Sequence, residues 1–149
     1  MKERSLVILV PLPPGVLNPN RRPAHWGVTV GTSRDYAELV KMLALSEKHA
    51  WETTPGQFWE PLLHASVQLE FTWPTSKRGP LPDEKNLEAA FKPGIDALTA
   101  RIRRMTKRGY PIVGAGIIAD DNPDCITWLP TVIQRGDEAG VKITVREVR

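Results

Sequence analysis

With 149 residues, of which 41% are hydrophobic and 25% charged, the chain is the size of one domain and can bury a core, which excludes a disordered tail. The net charge of +3 and an isoelectric point near 9.2 favour anionic partners without requiring a nucleic-acid role. The single cysteine, Cys125, excludes an intrachain disulfide and suits a reducing, cytosolic setting. No apolar run approaches the roughly 20 residues that a membrane span needs, so no membrane role is expected.

The N-terminal segment predicts a buried strand followed by an ordered loop. Residues 6–10 are apolar and mostly β-branched, and Pro11 stops the run. The prolines, glycine and asparagines that follow exclude a helix or a central strand. This loop carries four candidate side chains for phosphate and base contacts, namely Arg21, Arg22, His25 and Trp26. The alternative, with the tryptophan packed on the core and the arginines in water, stays open.

A long helix and a half-buried strand come next. Thr32 or Ser33 can cap a helix predicted over residues 34–51, whose apolar positions recur at helical spacing. Residues 63–73 alternate apolar and polar side chains, which predicts a strand with one polar face, ended by Pro74. The basic loop that follows includes two candidate nucleic-acid contacts, Lys77 and Arg78.

A second amphipathic helix is predicted by an apolar stripe that runs from Leu87 to Met105. Because proline is tolerated only in the first helical turn, Pro93 indicates that the helix begins between Glu88 and Phe91. Its end is strongly basic, which favours the helix dipole. We prefer a solvated helix end as the interpretation, and contact with DNA stays open as the alternative. The basic residues are Arg101, Arg103, Arg104, Lys107 and Arg108.

The C-terminal segment predicts a turn over residues 110–116 and an apolar run over 117–119 that ends at Asp120 and Asp121. A strand over residues 126–134, interrupted at Pro130, is followed by a hairpin turn and a last strand over 141–148. The expected fold class is therefore α+β, with a small mixed sheet of about four strands and two main helices.

Two acidic clusters suggest a chemistry. Asp83 and Glu84 precede the second helix. Asp120 and Asp121 lie about two dozen residues downstream of the stretch 82–98. Hydrolysis of a phosphodiester requires a nucleophilic water and charge stabilisation at the leaving oxygen, and divalent cations bound by carboxylates supply both. A nearby lysine, such as Lys92, can stabilise the developing charge. The clusters alone are a weak signal, since acidic pairs are common in turns.

The order of the motifs makes the signal stronger. A proline-rich loop with His25-Trp26 is followed by Asp83, Asn86-Leu87, Lys92 and Asp96-Ala97-Leu98, and then by the segment 115–121, which ends in two aspartates. In this order the chain resembles, over nearly its whole length, the RusA family of Holliday junction resolvases, in particular the phage-borne members.

The resemblance implies a RusA-like fold, one endonuclease domain over residues 1–149 and a location in the cytoplasm of a bacterium or a phage-infected host. It implies that Mg²⁺ or Mn²⁺ is bound by Asp83 and Asp121, with Asp120 as a further ligand or supporting acid, and that Lys92 is the catalytic lysine. It also implies a homodimer that cuts symmetric strands of a four-way DNA junction. Among residues near the acids, Lys85 and Asn86 are candidate nucleic-acid contacts.

Lys85 departs from the family pattern, which has a second acid at this position. A cation about 4 Å from a metal ion opposes its binding by several kcal/mol at an effective dielectric constant of about 20. Three outcomes are open. Glu84 turns inward and replaces the carboxylate, the Lys85 ammonium stands in for one metal ion, or the chain binds junctions without cleaving them. We expect residual or altered nuclease activity.

Two other classes of function remain as alternatives. A DNA-binding protein of the same fold would bind junctions without cutting them, and a protein-interaction module would bind no nucleic acid. Metal-ligand spacing is missing between Cys125 and the three histidines, His25, His49 and His64. The sequence also contains no nucleophile elbow, phosphate-cradling glycine loop or dinucleotide fingerprint.

Overall fold

In the computed structural model, residues 3–18 and 26–149 are described, and the side chains of Val16, Trp26, Arg103 and Arg104 are not. The described elements are two helices, seven strands and a short 3₁₀ turn at Gly15–Leu17. The helices are α1, Trp26–Glu52, and α2, Glu84–Leu98. The strands are β1 Ser5–Val10, β2 Ala65–Pro74, β3 Ile102–Met105, β4 Pro111–Val113, β5 Ile126–Trp128, β6 Val132–Gly136 and β7 Gly140–Glu147.

The fold is α+β, with two helices and a mixed five-stranded sheet in place of the expected four strands. Strand β7 lies between β1 and β2 and is antiparallel to both. Strands β5 and β6 pair in parallel with successive parts of the other edge of β2, so they act as one strand interrupted near Pro130, as predicted. The predicted hairpin at Gly136 is wrong, because β6 and β7 lie on opposite sides of β2.

The core lies between one face of the sheet and the two helices. Alternate residues of β1, β2 and β7 are buried, as their hydrophobic period of two predicts. Three aromatic rings connect the layers edge to face, since Phe91 of α2 lies 6.1 Å from Tyr36 of α1 and 6.0 Å from Phe71 of β2. This contact fixes α2 against the sheet and therefore determines where its polar side chains emerge.

Both helices differ from their predicted bounds. Helix α1 begins at Trp26, so Thr32 and Ser33 lie inside it instead of capping it, because each added residue extends an existing helix at low cost. Helix α2 begins at Glu84 and contains Pro93 in its interior, which is tolerated because buried residues on both sides of the proline hold the helix on the sheet. Burial of Phe91 and Leu98, worth about 2 kcal/mol each, offsets the roughly 3 kcal/mol that an interior proline costs.

The predicted extension of this helix to Met105 is also wrong. Thr99 leaves the helical conformation, with φ −79° and ψ 164°, and the chain continues into a two-stranded ribbon, β3–β4. The ribbon includes part of the segment predicted as a turn over residues 110–116. Ile102 and Met105, the last members of the apolar stripe, are 61% and 56% exposed, so their helical spacing did not reflect a buried face. In the described part of the chain, neither helix has the length and apolar character that crossing a bilayer requires.

Candidate active site

Lys92 of α2 is the centre of a cluster of charged side chains. Its ammonium donates hydrogen bonds to Asp96 Oδ1, at 2.6 Å, and to Asp121 Oδ2. Asp96 is one helical turn further along α2, where a side chain at i+4 faces the same side. Asp121 comes from the loop before β5, so the cluster joins two segments that are distant in sequence.

Asp121 is held next to α2 by backbone hydrogen bonds of the apolar run before it. Ile117 N donates to Leu98 O at 2.9 Å, and Ala119 N donates to Leu62 O at 2.9 Å. The run therefore lies between the end of α2 and the segment that leads into β2. Gly114 allows the close crossing, because a Cβ there would lie 2.0 Å from Thr99 O. Burial of Ile117 and Ile118 then leaves the two aspartates that follow at the edge of α2.

Asp120 and Asp121 have different roles in this loop. Asp120 accepts hydrogen bonds from the backbone N–H of Asp121 at 2.7 Å and from the side chain of Asn122 at 3.1 Å, so its carboxylate stabilises the turn. Arg101 Nη1 lies 3.4 Å from Asp120 Oδ1 and 3.9 Å from Asp121 Oδ1. Two cations, Lys92 and Arg101, thus surround the acidic pair.

The cluster shifts two pKa values. The hydrogen bond from Lys92 lowers the pKa of Asp121 below its usual value of 3.8, although partial burial opposes this. Partial burial alone would lower the pKa of Lys92, but its hydrogen bonds to Asp121 and Asp96 outweigh that effect and raise it above 10.5. Lys92 is therefore an ammonium at neutral pH, suited to binding an anion and not to accepting a proton.

Two grooves meet at the Lys92–Asp121 pair. The first, of about 550 Å³, lies between α1 and the end of α2 and is lined by three cationic side chains, Arg34, Lys92 and Arg101. The second, of about 700 Å³, lies beside the interruption between β5 and β6. Its walls contain Glu84 and Glu88 together with apolar side chains such as Trp128. Because Asp96 and Asp121 also line the first groove, it has a small excess of positive charge, whereas the second groove is apolar and acidic.

The predicted site residues are brought together in part. Lys92, Asp120 and Asp121 lie in the cluster, and Glu84 lines the second groove. Asp83 is the N-cap of α2, where its side chain accepts a hydrogen bond from Lys85 N at 2.8 Å. Lys92 follows Asp83 by nine positions, or about 13 Å along the helix axis, so Asp83 lies outside the cluster.

Among the residues that the structure describes, the predicted nucleic-acid contacts lie outside the cluster. Lys85 is exposed and precedes Lys92 by two helical turns, on the same side of α2 as Lys92, whereas Asn86 is half-buried. The loop that carries Lys77 and Arg78 is fixed by Arg135, which donates to Lys77 O at 2.8 Å and to Gly79 O. The Lys77 ammonium lies 4.8 Å from the ring centre of Trp73. Arg21, Arg22 and His25 lie outside the described residues, as does the side chain of Trp26.

Asp96 had no predicted role and Arg101 was predicted only as part of a basic helix end, but both lie in the cluster. The spacing of Lys92 and Asp96, four residues apart on a helix, was the available signal for Asp96. Arg101 had no comparable signal, because its contact with Asp120 depends on how the chain turns after α2.

The carboxylates of the cluster can be compared with the ligands that Mg²⁺ requires. Within residues 3–18 and 26–149, no group of three or more histidine, cysteine, aspartate and glutamate side chains is arranged to hold a metal ion. Mg²⁺, however, is commonly bound through one or two carboxylates, with water and substrate phosphate as the remaining ligands. Asp121 and the neighbouring Asp120 or Asp96 fit such a site if Lys92 yields one of its carboxylate partners.

Comparison with protein-family models, with curated proteins and with solved structures found no match to this chain. The resemblance to the RusA resolvases therefore depends on the order of its motifs alone.

Proposed function

We propose that this protein is a metal-dependent endodeoxyribonuclease that hydrolyses phosphodiesters in branched DNA such as Holliday junctions, and that its fold is RusA-like. The observation that carries the proposal is the contact of Lys92 with Asp121 at the meeting point of two grooves. The resemblance to the RusA family implies a catalytic role for Lys92 and a metal-binding role for Asp121.

Asp121 and Asp120 would hold Mg²⁺ or Mn²⁺. The resemblance also implies Asp83 as a ligand, but its place at the N-cap, about 13 Å along α2 from Lys92, does not support that role. A bound divalent cation supplies a nucleophilic water and stabilises charge at the leaving oxygen. Lys92 remains protonated, so it binds a phosphate oxygen as a cation. Asp96 accepts a second hydrogen bond from the Lys92 ammonium and thereby helps to orient it.

A homodimer in the cytoplasm completes the proposal. A four-way junction has two symmetric strands to cut, and two copies related by a two-fold axis present two equivalent sites to it. The molar mass in solution, measured by light scattering with and without junction DNA, tests this part, and a monomer in both conditions would contradict it.

Cleavage of a labelled four-way junction tests the activity. With Mg²⁺ or Mn²⁺, we expect paired symmetric nicks that chelation abolishes and that Asp121→Asn removes. Asp137→Asn is the matched control, because it makes the same carboxylate-to-amide change in the connection between β6 and β7, where the side chain accepts a hydrogen bond from Thr75 Oγ1 at 3.2 Å. Nicking that survives both chelation and Asp121→Asn would contradict the proposal.

A second candidate function is junction binding without cleavage. Two observations favour it. Lys85 stands where the resemblance leads us to expect an acid, and the Lys92 ammonium is hydrogen-bonded to the carboxylates of Asp96 and Asp121. Lys85→Asp distinguishes the two functions. If this substitution creates or greatly raises cleavage while the native chain only binds, the native protein is the non-cleaving form.

A further inference from the structure

The β3–β4 ribbon concentrates positive charge. Between residues 101 and 113 the chain has five basic residues and no acidic one, whereas the whole protein has a net charge of only +3. The basic residues are Arg101, Arg103, Arg104, Lys107 and Arg108. The ribbon is a separate two-stranded sheet, paired through Ile102 with Val113 and Met105 with Pro111.

The turn at the end of the ribbon presents two of these cations. Gly109 N donates to Thr106 O at 2.9 Å, and Thr106 N donates to Tyr110 O at 2.7 Å, which closes a tight turn. Gly109 has φ +84°, a conformation that favours glycine. Lys107 and Arg108 occupy the two central positions of this turn, and both are exposed. The four residues of β3 span about 13 Å, so Lys107 and Arg108 lie about that far from the base of the ribbon.

The base of the ribbon is continuous with the candidate active site. Arg101 contacts Asp120 and Asp121, and Arg101 and Ile102 both line the groove that contains Lys92 and Arg34. Cationic residues therefore stand at both ends of the ribbon, with Lys107 and Arg108 at its tip and Arg101 at its base, in the groove that also contains Lys92.

We propose that the β3–β4 ribbon is a phosphate-binding arm that holds duplex DNA beside the Lys92–Asp121 pair. Duplex DNA carries about one negative charge per 1.7 Å of its axis, so a ribbon about 13 Å long faces several phosphates. A two-stranded ribbon is also narrow enough for the major groove, which is about 12 Å wide. This inference rests on the proposed function, since it assigns the DNA-holding part of the same site.

The exposed apolar side chains of the ribbon suggest a second copy of the chain as a different occupant. Ile102, Met105 and Tyr110 are each more than half exposed. Two such ribbons in contact would, however, place five positive charges against five others, and the cores of protein interfaces are depleted of charge. Polyanionic DNA complements the ribbon, whereas a second ribbon repels it.

The test measures DNA binding without cleavage. Lys107→Ala/Arg108→Ala and the control Lys142→Ala/Arg146→Ala are compared with the native chain by fluorescence anisotropy, using a labelled four-way junction in EDTA over a series of salt concentrations. The control removes the same charge from β7, where both side chains are exposed. Circular dichroism melts establish that each variant is folded.

We expect the ribbon variant to bind at least about tenfold more weakly near 0.1 M salt, and its plot of log Kd against log salt to be less steep by about two. The control should keep the native slope. A ribbon variant that matches the native affinity and slope overturns this inference alone, because the native chain still binds DNA. A native chain that binds no DNA overturns both the inference and the proposed function. A ribbon variant with a changed molar mass in sedimentation identifies the ribbon as a self-association surface and also overturns the inference.

Discussion

Lys92 donates a hydrogen bond to the carboxylate of Asp121, a residue 29 positions later in the chain. Neither side chain is placed by its own element alone, because Lys92 depends on the packing of α2 and Asp121 on the buried run before it. A second acceptor, Asp96, fixes the direction of the ammonium. The pair is the natural target for tests of both activity and stability.

Removing the ammonium should affect cleavage far more than binding. Lys92→Met keeps the length of the side chain but loses the charge, and we expect junction cleavage to fall by about 100-fold or more, as for other groups that stabilise developing charge. The measurement is single-turnover cleavage at saturating protein. Lys41→Met, on α1, is the control for a lost lysine, and equal rates for native and Lys92→Met proteins would exclude a catalytic role for Lys92.

The lowered pKa of Asp121 predicts a loss of stability in acid. Because the folded-state pKa of Asp121 lies below its usual value of 3.8, the unfolded chain binds the proton more tightly, and stability falls as the pH falls through these values. The raised pKa of Lys92 has the opposite sign, so its contribution is present below pH 10.5 and is lost as the pH rises through the higher, folded value.

Urea unfolding measured from pH 2 to pH 7 should therefore show a steeper acid limb for the native chain than for Asp121→Asn. An identical acid limb in the two proteins would show that the pair does not contribute to the pH dependence of the free energy of unfolding.

Two substitutions of Asp83 separate its capping role from a metal-binding role. Asparagine caps helices about as well as aspartate, so Asp83→Asn should preserve the free energy of unfolding while weakening cleavage if the carboxylate binds the metal. Asp83→Ala should lose about 1 kcal/mol of stability as well, because Lys85 N loses its acceptor. The measurements are urea unfolding and junction cleavage on both variants. Native cleavage by Asp83→Asn would leave Asp83 with the capping role alone.

Gly114 should be one of the least replaceable glycines of the fold. A Cβ there would lie 2.0 Å from Thr99 O and 2.8 Å from Ala97 O, so Gly114→Ala must displace the backbone that positions Asp121. We expect a destabilisation of at least about 1–3 kcal/mol in urea unfolding. Gly31→Ala in α1 is the contrast, because no atom lies within 4 Å of its added Cβ, and a gain of up to about 1 kcal/mol is expected. Equal effects of the two substitutions would contradict the tight crossing.

The buried hydroxyl of Tyr36 is uncharged, and its hydrogen bond should contribute to the free energy of unfolding. Burial raises the pKa of Tyr36 far above its usual value of 10.0, and its hydroxyl donates to Pro11 O at 2.7 Å. Tyr36→Phe should cost about 1 kcal/mol in urea unfolding, because it leaves that carbonyl without its donor. Tyr110→Phe should have no measurable effect, since Tyr110 is 66% exposed. A neutral Tyr36→Phe would indicate that water replaces the lost donor.

Local hydrophobic patterns predicted those strands in which one face is buried. The alternation in β2 and the apolar runs of β1 and β7 correspond to strands with one buried face, and the break at Pro130 separates β5 from β6. The acids Asp120 and Asp121 and the lysine Lys92 could also be selected from sequence, because their chemical types suit phosphate chemistry.

What the sequence determined by itself was thus the fold class and the identity of three of the charged side chains in the cluster. Only the tertiary structure decided that Asp96 and Arg101 join them, that Asp83 caps α2, and that the basic segment after Leu98 is a ribbon and not a helix end. The reason is that hydrophobic periodicity reports which side of an element is buried, whereas contacts between distant segments depend on how backbone hydrogen bonds and packing close the chain around that core.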